Sequence, residues 1–315
     1  MADLSMPSPP AANLIPNLSG DPARHRRERI VKRLFFGAAA MSVVISAAIV
    51  LSLVGRALTF ITNVDLASLW DSGWFPRSGQ FDLRTIVTGT LVVASIGMLV
   101  AAPLGLGAAI YLAEYARPRA RRILKPIVEI LAGIPSVVIG FFALTFISPH
   151  LIRGLFPSAG LFNMAAAGVG VGILVTPLVA SIAEDSFRAV PMALREASVG
   201  LGARKRITTL KVVFPAAISG IMAALIVGLS RAIGETMVVA IAAGASGNSA
   251  FTMNPLDPGQ TMTAAMTSLA IGSDRVKGQA FTFESLFFVG LLLFVMTLVL
   301  NVFSERFVRR VRQKY

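Results

Sequence analysis

Cysteine is absent from this 315-residue sequence, which excludes a disulfide framework, a thiolate metal site and a cysteine nucleophile. Histidine is nearly absent: His25 and His150 are far apart and cannot build a histidine metal site or a triad. Charge is scarce as well. Asp, Glu, Lys and Arg make up 14% of the chain, against about 25% in soluble domains. The acidic side is the shorter, with 16 Asp and Glu against 29 Lys and Arg. No Gly-rich loop ends in Lys-Ser or Lys-Thr, and no apolar block carries paired carboxylates. Glu184 and Asp185 are adjacent, so on a helix they point in different directions. Enzyme chemistry is thus not expected, and neither a cofactor nor a metal.

What the chain does have is apolar length. Hydrophobic residues make up 55% of it, and they fall in blocks near the roughly 20 residues that a helix needs to cross a bilayer. Six blocks stand out, at about 34–54, 86–112, 124–147, 161–182, 216–241 and 285–303. The fold class expected is all-α, a polytopic membrane protein of about six transmembrane helices. The first block follows a polar leader and has no small-x-small cleavage signal after it, so it reads as a retained anchor.

The net charge of +13 invites a nucleic-acid reading, but its distribution argues against one. Twenty-two of the 29 Lys and Arg fall in four segments: 1–33, 113–125, 183–215 and 305–315. Threading the six blocks alternately puts all four on one side, and the positive-inside rule makes that side cytoplasmic, with both termini there. A nucleic-acid footprint would need one basic face on a folded domain.

Residues 1–30 are expected to be a disordered cytoplasmic tail, its first 23 rich in Pro, Ala, Ser and Asn. Residues 31–315 are expected to form the transmembrane domain. The first outside loop, Gly55 to Thr85, holds Trp70 and Trp74, whose amphipathic rings suit a membrane interface. The second block is Gly-rich and carries Thr88 and Thr90 near its outer end as candidates for lining a path, although Thr also bonds back to its own helix. In the third block, Gly133-Ile134-Pro135 sets a proline inside a span, which kinks a helix and serves either packing or gating. The loop Gly244 to Thr282 is long and polar enough to offer a docking surface.

Two features carry the functional argument. The first is Arg231 and Glu235, in Arg-Ala-Ile-Gly-Glu-Thr-Met deep in the fifth block. Their spacing of four puts both on one helix face. Charges at such depth are costly, face the protein interior and mark pathways. A guanidinium offers a planar donor fork that fits phosphate oxygens, and a carboxylate beside it holds the fork when the site is empty. The competing reading is a structural ion pair that ties helices together. The second feature is the charged loop of residues 184–215, in which Glu196-Ala197-Ser198 is followed by Gly202, Arg204-Lys205-Arg206, Val212 and Phe214-Pro215.

This loop resembles the cytoplasmic coupling loop of ABC importer permeases, which runs Glu-Ala-Ala, then Gly, then a hydrophobic-Pro ending. Ser198 stands for the second Ala and Phe214 for the usual Leu. The Arg231–Thr236 segment, the Pro103-Leu104-Gly105 run with Tyr111 to Tyr115, and Gly133-Ile134-Pro135-Ser136 are similar to the phosphate-type subfamily, and Thr236-Met237 is closer to the PstC-type subunit than to its PstA-type sibling. The resemblance covers about residues 30–315. It implies ATPase coupling through Glu196, Ala197, Ser198, Gly202 and Pro215, and translocation past Arg231, Glu235 and Thr236. It also implies a PstA-type permease subunit, two ATP-binding ATPase subunits, an extracytoplasmic phosphate-binding protein, inorganic phosphate and membrane lipids as partners, with the chain in the cell inner membrane. An importer for another oxyanion such as sulfate or molybdate, and a secondary anion transporter, remain alternatives.

Overall fold

The computed structural model describes residues 22–70, 73–244, 249–271 and 281–311. The order is α1 (Pro22–Asn63), β1 (Gly73–Phe75), β2 (Gln80–Phe81), α2 (Leu83–Tyr115), α3 (Pro118–Ala132), α4 (Ser136–Leu155), α5 (Met164–Arg188), α6 (Met192–Gly200), α7 (Lys205–Ile233), α8 (Met237–Ala242), β3 (Ser249–Ala250), α9 (Met262–Ile271) and α10 (Thr282–Val311). Among the described residues six helices are long and apolar enough to cross a membrane: α1, α2, α4, α5, α7 and α10. Residues up to Ser52 form one unit and those from Leu53 a second. In the first unit α1 begins at Pro22, inside the segment expected as a tail. Residues 1–21 lie outside the described residues, as do Asn248, Asp274, Arg275 and Lys277 of the long loop.

The second unit is built on the seam between α2 and α5, its most extensive helix contact. Small residues create it. A side chain at Gly172 would meet Val100 and the Gly97 carbonyl, and one at Gly168 would meet Ile96. Inside a bilayer apolar surface gains nothing by leaving lipid, so association depends on such close approach and the dispersion contacts it allows. Val93, Val171, Val175 and Val179 fill the seam, and Ile139, Ala143, Ile233 and Val238 close over it from α4, α7 and α8. A second cluster brings Phe60, Trp74, Phe81, Ile86, Met262 and Val289 together. Trp74, on the central strand of a three-stranded antiparallel sheet ordered β2-β1-β3, is buried there, whereas Trp70 is exposed. Of the two tryptophans expected at an interface, one is therefore core.

Two blocks read as continuous spans are interrupted. The third divides at Gly133-Ile134-Pro135: α3 stops, Pro135 has extended backbone, and α4 begins at Ser136. Proline lacks the donor that would continue the ladder, and the residue before it is pushed out of helical conformation. α3 presents Ile123, Ile127 and Ile130 outward on one face, with Arg121 and Lys125 on the opposite side. The fifth block breaks at Gly234-Glu235-Thr236, between α7 and α8. Wide turns of the i→i+5 kind occur at Tyr111–Tyr115, Ala143–Ile152 and Thr209–Val213.

Gly172→Val should break the α2–α5 seam, because its Cβ alone would lie 2.6 Å from the Val100 Cβ and 2.8 Å from the Gly97 oxygen. Overpacking of this kind costs about 1–3 kcal/mol. The thermal unfolding midpoint in detergent should fall; an unchanged midpoint would contradict the seam.

Candidate functional site

α7 ends just where its charged residues lie. The Gly234 N–H donates back to the Ser230 carbonyl at 3.2 Å, and the Glu235 N–H to that of Ala232 at 3.3 Å. The chain then turns through Thr236 into α8. Arg231 Nη1 donates to Glu235 Oε2 at 2.6 Å. The two are unequally covered: the Glu235 side chain is 2% exposed and that of Arg231 is 45% exposed. The carboxylate is therefore walled in, while the guanidinium keeps an open side with donors to spare. Depth follows from packing. Gly228, less than one turn before Arg231, abuts Val175 and Val179 near the middle of α5. The pair thus lies close to mid-height of the helices.

A helix broken inside an apolar bundle frees backbone groups that need partners. The Glu235 carbonyl finds one in Thr263 Oγ1, at 2.7 Å. Thr263 is itself 3.0 Å from the Thr261 hydroxyl, and Thr261 caps α9 by accepting from the Ala264 N–H. Thr90 on α2 accepts from the Met262 N–H at 3.0 Å and donates to the Ile86 carbonyl at 2.7 Å. Gly89 allows this approach, since a Cβ there would collide with the Gln260 carbonyl. Gln260, Thr261 and Thr263 are all buried. The start of α9 is thus folded into the bundle beside the break rather than standing on an outside loop.

Of the residues selected from sequence, Arg231 and Glu235 are brought together. Thr236 is half-buried at the break, 3.4 Å from the Gly234 carbonyl. Thr90 is buried with its hydroxyl engaged, and Thr88 is half-buried on α2. Gln260, Thr261 and Thr263 were not singled out from sequence. The signal for them is the uncharged stretch Gly259 to Gly272 inside a loop otherwise read as polar.

At the far end of α5 and α7, α6 carries the loop residues. Glu196 and Ala197 are exposed mid-helix rather than near a helix start, and Ser198 Oγ is 2.9 Å from Thr208 Oγ1. α6 closes with Gly202 at φ +81°. The Gly202 N–H bonds the Val199 carbonyl and the Ala203 N–H bonds that of Ser198, the paired closure that favours glycine at the left-handed position. Leu201 is 90% exposed at the tip. Pro215 is exposed inside α7, directly after the wide turn at Thr209–Val213, where the helical ladder is already altered.

Ion pairs fix α6 and α3 to the bundle. Arg195 reaches Glu114 Oε1 at 2.8 Å and also donates to the Phe187 and Val190 carbonyls. Glu184, 1% exposed, receives Arg121 Nε at 2.9 Å and Lys125 Nζ at 3.3 Å. Between these helices lies a cleft of about 1080 Å³, its basic lining including Arg122, Arg188 and Lys205. Among the described residues no group of three or more His, Asp or Glu could hold a metal.

Residues 101–313 match the family described as the binding-protein-dependent transport system inner membrane component, and the chain belongs to it. Two relatives illustrate its neighbourhood. The phosphate transport system permease protein PstC of Mesorhizobium japonicum is 29% identical over 87% of this chain and 88% of its own. The probable ABC transporter permease protein YqgH of Bacillus subtilis is 34% identical over 62% of each chain. A chain from the crystal structure of a bacterial ABC transporter that imports the acidic polysaccharide alginate matches with a TM-score of 0.62 at 15% identity, covering 91% of this chain and 100% of that one. This chain is a permease subunit of an ABC importer.

Glu184→Gln should take the carboxylate from Arg121 and leave Lys125 with the exposed Asp185. Breaking a buried charge pair of this kind costs about 1–3 kcal/mol. The thermal unfolding midpoint should drop, and no drop would show that the pairs are incidental.

Proposed function

We propose that this chain is the permease subunit of an ATP-driven importer for inorganic phosphate, and that the anion passes Arg231. The observation that carries the reading is the half-open guanidinium at a broken helix near mid-height. A broken helix at such depth is tolerated where it lines a cavity, and carriers build their sites there. Five N–H donors in a planar fork suit a tetrahedral oxyanion.

Glu235 favours phosphate over sulfate or molybdate once Arg231 turns from it toward the anion and uncovers the carboxylate. At neutral pH phosphate keeps at least one P–O–H group, which donates to a carboxylate, whereas fully ionised sulfate meets only repulsion there. The name of the Mesorhizobium relative points the same way. Thr236 and Thr88 are the further candidates along the route. Thr90, with its hydroxyl committed, shapes the wall.

Force enters through α6. Its exposed Leu201, Val199 and Met192 beside Glu196 suit insertion into a cleft of an ATPase subunit, and Gly202 and Pro215 fix the turn back into the membrane. The Arg195–Glu114 pair carries movement of α6 to the end of α2. The basic end of the bundle faces the cytoplasm under the positive-inside rule, and with it both termini. The pore is completed by a PstA-type sibling, driven by two ATPase subunits and loaded by an extracytoplasmic phosphate-binding protein. Access then alternates between the two sides, and phosphate needs no covalent chemistry. A stand-alone secondary carrier has no use for an exposed apolar helix tip at α6.

Arg231→Gln should lower radiolabelled phosphate uptake by about tenfold or more, since hydrogen bonds to charged groups contribute about 1.5–3 kcal/mol. The subunit should still insert and co-purify with its ATPase. Normal phosphate uptake, or sulfate uptake in its place, would overturn the reading.

A further inference from the structure

We infer that Thr263 is a positioning residue for the Arg231–Glu235 pair, acting through the main chain of Glu235 rather than on the anion itself. The inference rests on the reading of that pair as the anion site.

The break between α7 and α8 gives Glu235 its place, and a break is a soft point in a helix. Residues around it have few ladder bonds, so the backbone direction at Glu235 is set by whatever else holds it. The short 2.7 Å bond from Thr263 Oγ1 to the Glu235 carbonyl supplies that hold from a different segment of the chain. Thr263 is 8% exposed, so water cannot readily replace the bond. Its own hydroxyl is oriented: donating to Glu235, it accepts from Thr261, whose oxygen caps the first turn of α9. The Met262 N–H between them is fastened to α2 through Thr90. A chain of hydrogen bonds therefore runs from α2 through the start of α9 to the residue that grips Arg231. Because the Thr261, Thr263 and Thr90 donors are all spent inside the protein, these hydroxyls frame the site and leave recognition to the Arg231–Glu235 pair.

The test is phosphate uptake by the assembled importer carrying Thr263→Val, Thr263→Cys and Thr263→Ser, with Arg231→Gln alongside. Valine keeps the shape and removes the donor. Losing a buried hydrogen-bond partner of this kind corresponds to about a tenfold fall in maximal uptake. The half-saturation concentration should stay unchanged, and ATP consumed per phosphate should rise. Serine restores uptake to within about twofold, and cysteine, a weak donor, falls between. Equal uptake by the valine and serine variants, with Arg231→Gln inactive, overturns the role of Thr263 and leaves the anion site standing. Should Thr263→Val fail to assemble, the cysteine variant decides: uptake equal to serine overturns the proposal, and uptake well below serine supports it. An active Arg231→Gln removes the anion site itself.

Discussion

A guanidinium near the middle of an apolar helix bundle is the constraint around which this protein is arranged. Its charge needs a counterion, and Glu235 supplies one at 2.6 Å. That carboxylate lies just past the end of α7, whose C-cap is Gly234. The break in turn exposes backbone groups that only a neighbouring segment can satisfy, and the start of α9 is drawn into the bundle to do so. The charged pair, the broken helix, the start of α9 and a buried threonine network thus lie together.

The surrounding bundle is assembled by proximity rather than by the hydrophobic effect. Glycines at the α2–α5 seam let two backbones meet, and valines fill what remains. Outside that seam the helices are interrupted at the Gly133–Pro135 joint between α3 and α4, at the α7–α8 break, and at the wide turn of Thr209–Val213 beside α6. The ion pairs Arg195–Glu114 and Arg121–Glu184 cross between these parts, joining α6 and α3 to the ends of α2 and α5. In the proposed reading, movement of α6 is passed to α2 by the Arg195–Glu114 pair.

Much of this is legible in the sequence because the bilayer demands simple patterns. Apolar length marked the six spans, and the rarity of charge made Arg231 and Glu235 conspicuous. Gly202 stood out within the charged loop, and it closes α6 at positive φ. Other features were hidden because they depend on contacts between distant segments. Pro135 signalled a disturbance, yet only packing decides between a kink and a full division into α3 and α4. Trp74 suits an interface by composition, but the fold buries it against Phe60 and Phe81. Thr263 carries no local signature at all, since its meaning lies in a carbonyl 28 positions earlier.

The absence of native cysteine makes the central claim directly measurable. With Arg231→Cys as the single thiol of this chain in the assembled importer, a charged, water-soluble thiol reagent reports whether the position faces water or lipid. Labelling by the charged, water-soluble reagent is the predicted result. A thiol that reacts only with membrane-permeant reagents would put position 231 against lipid and contradict the reading.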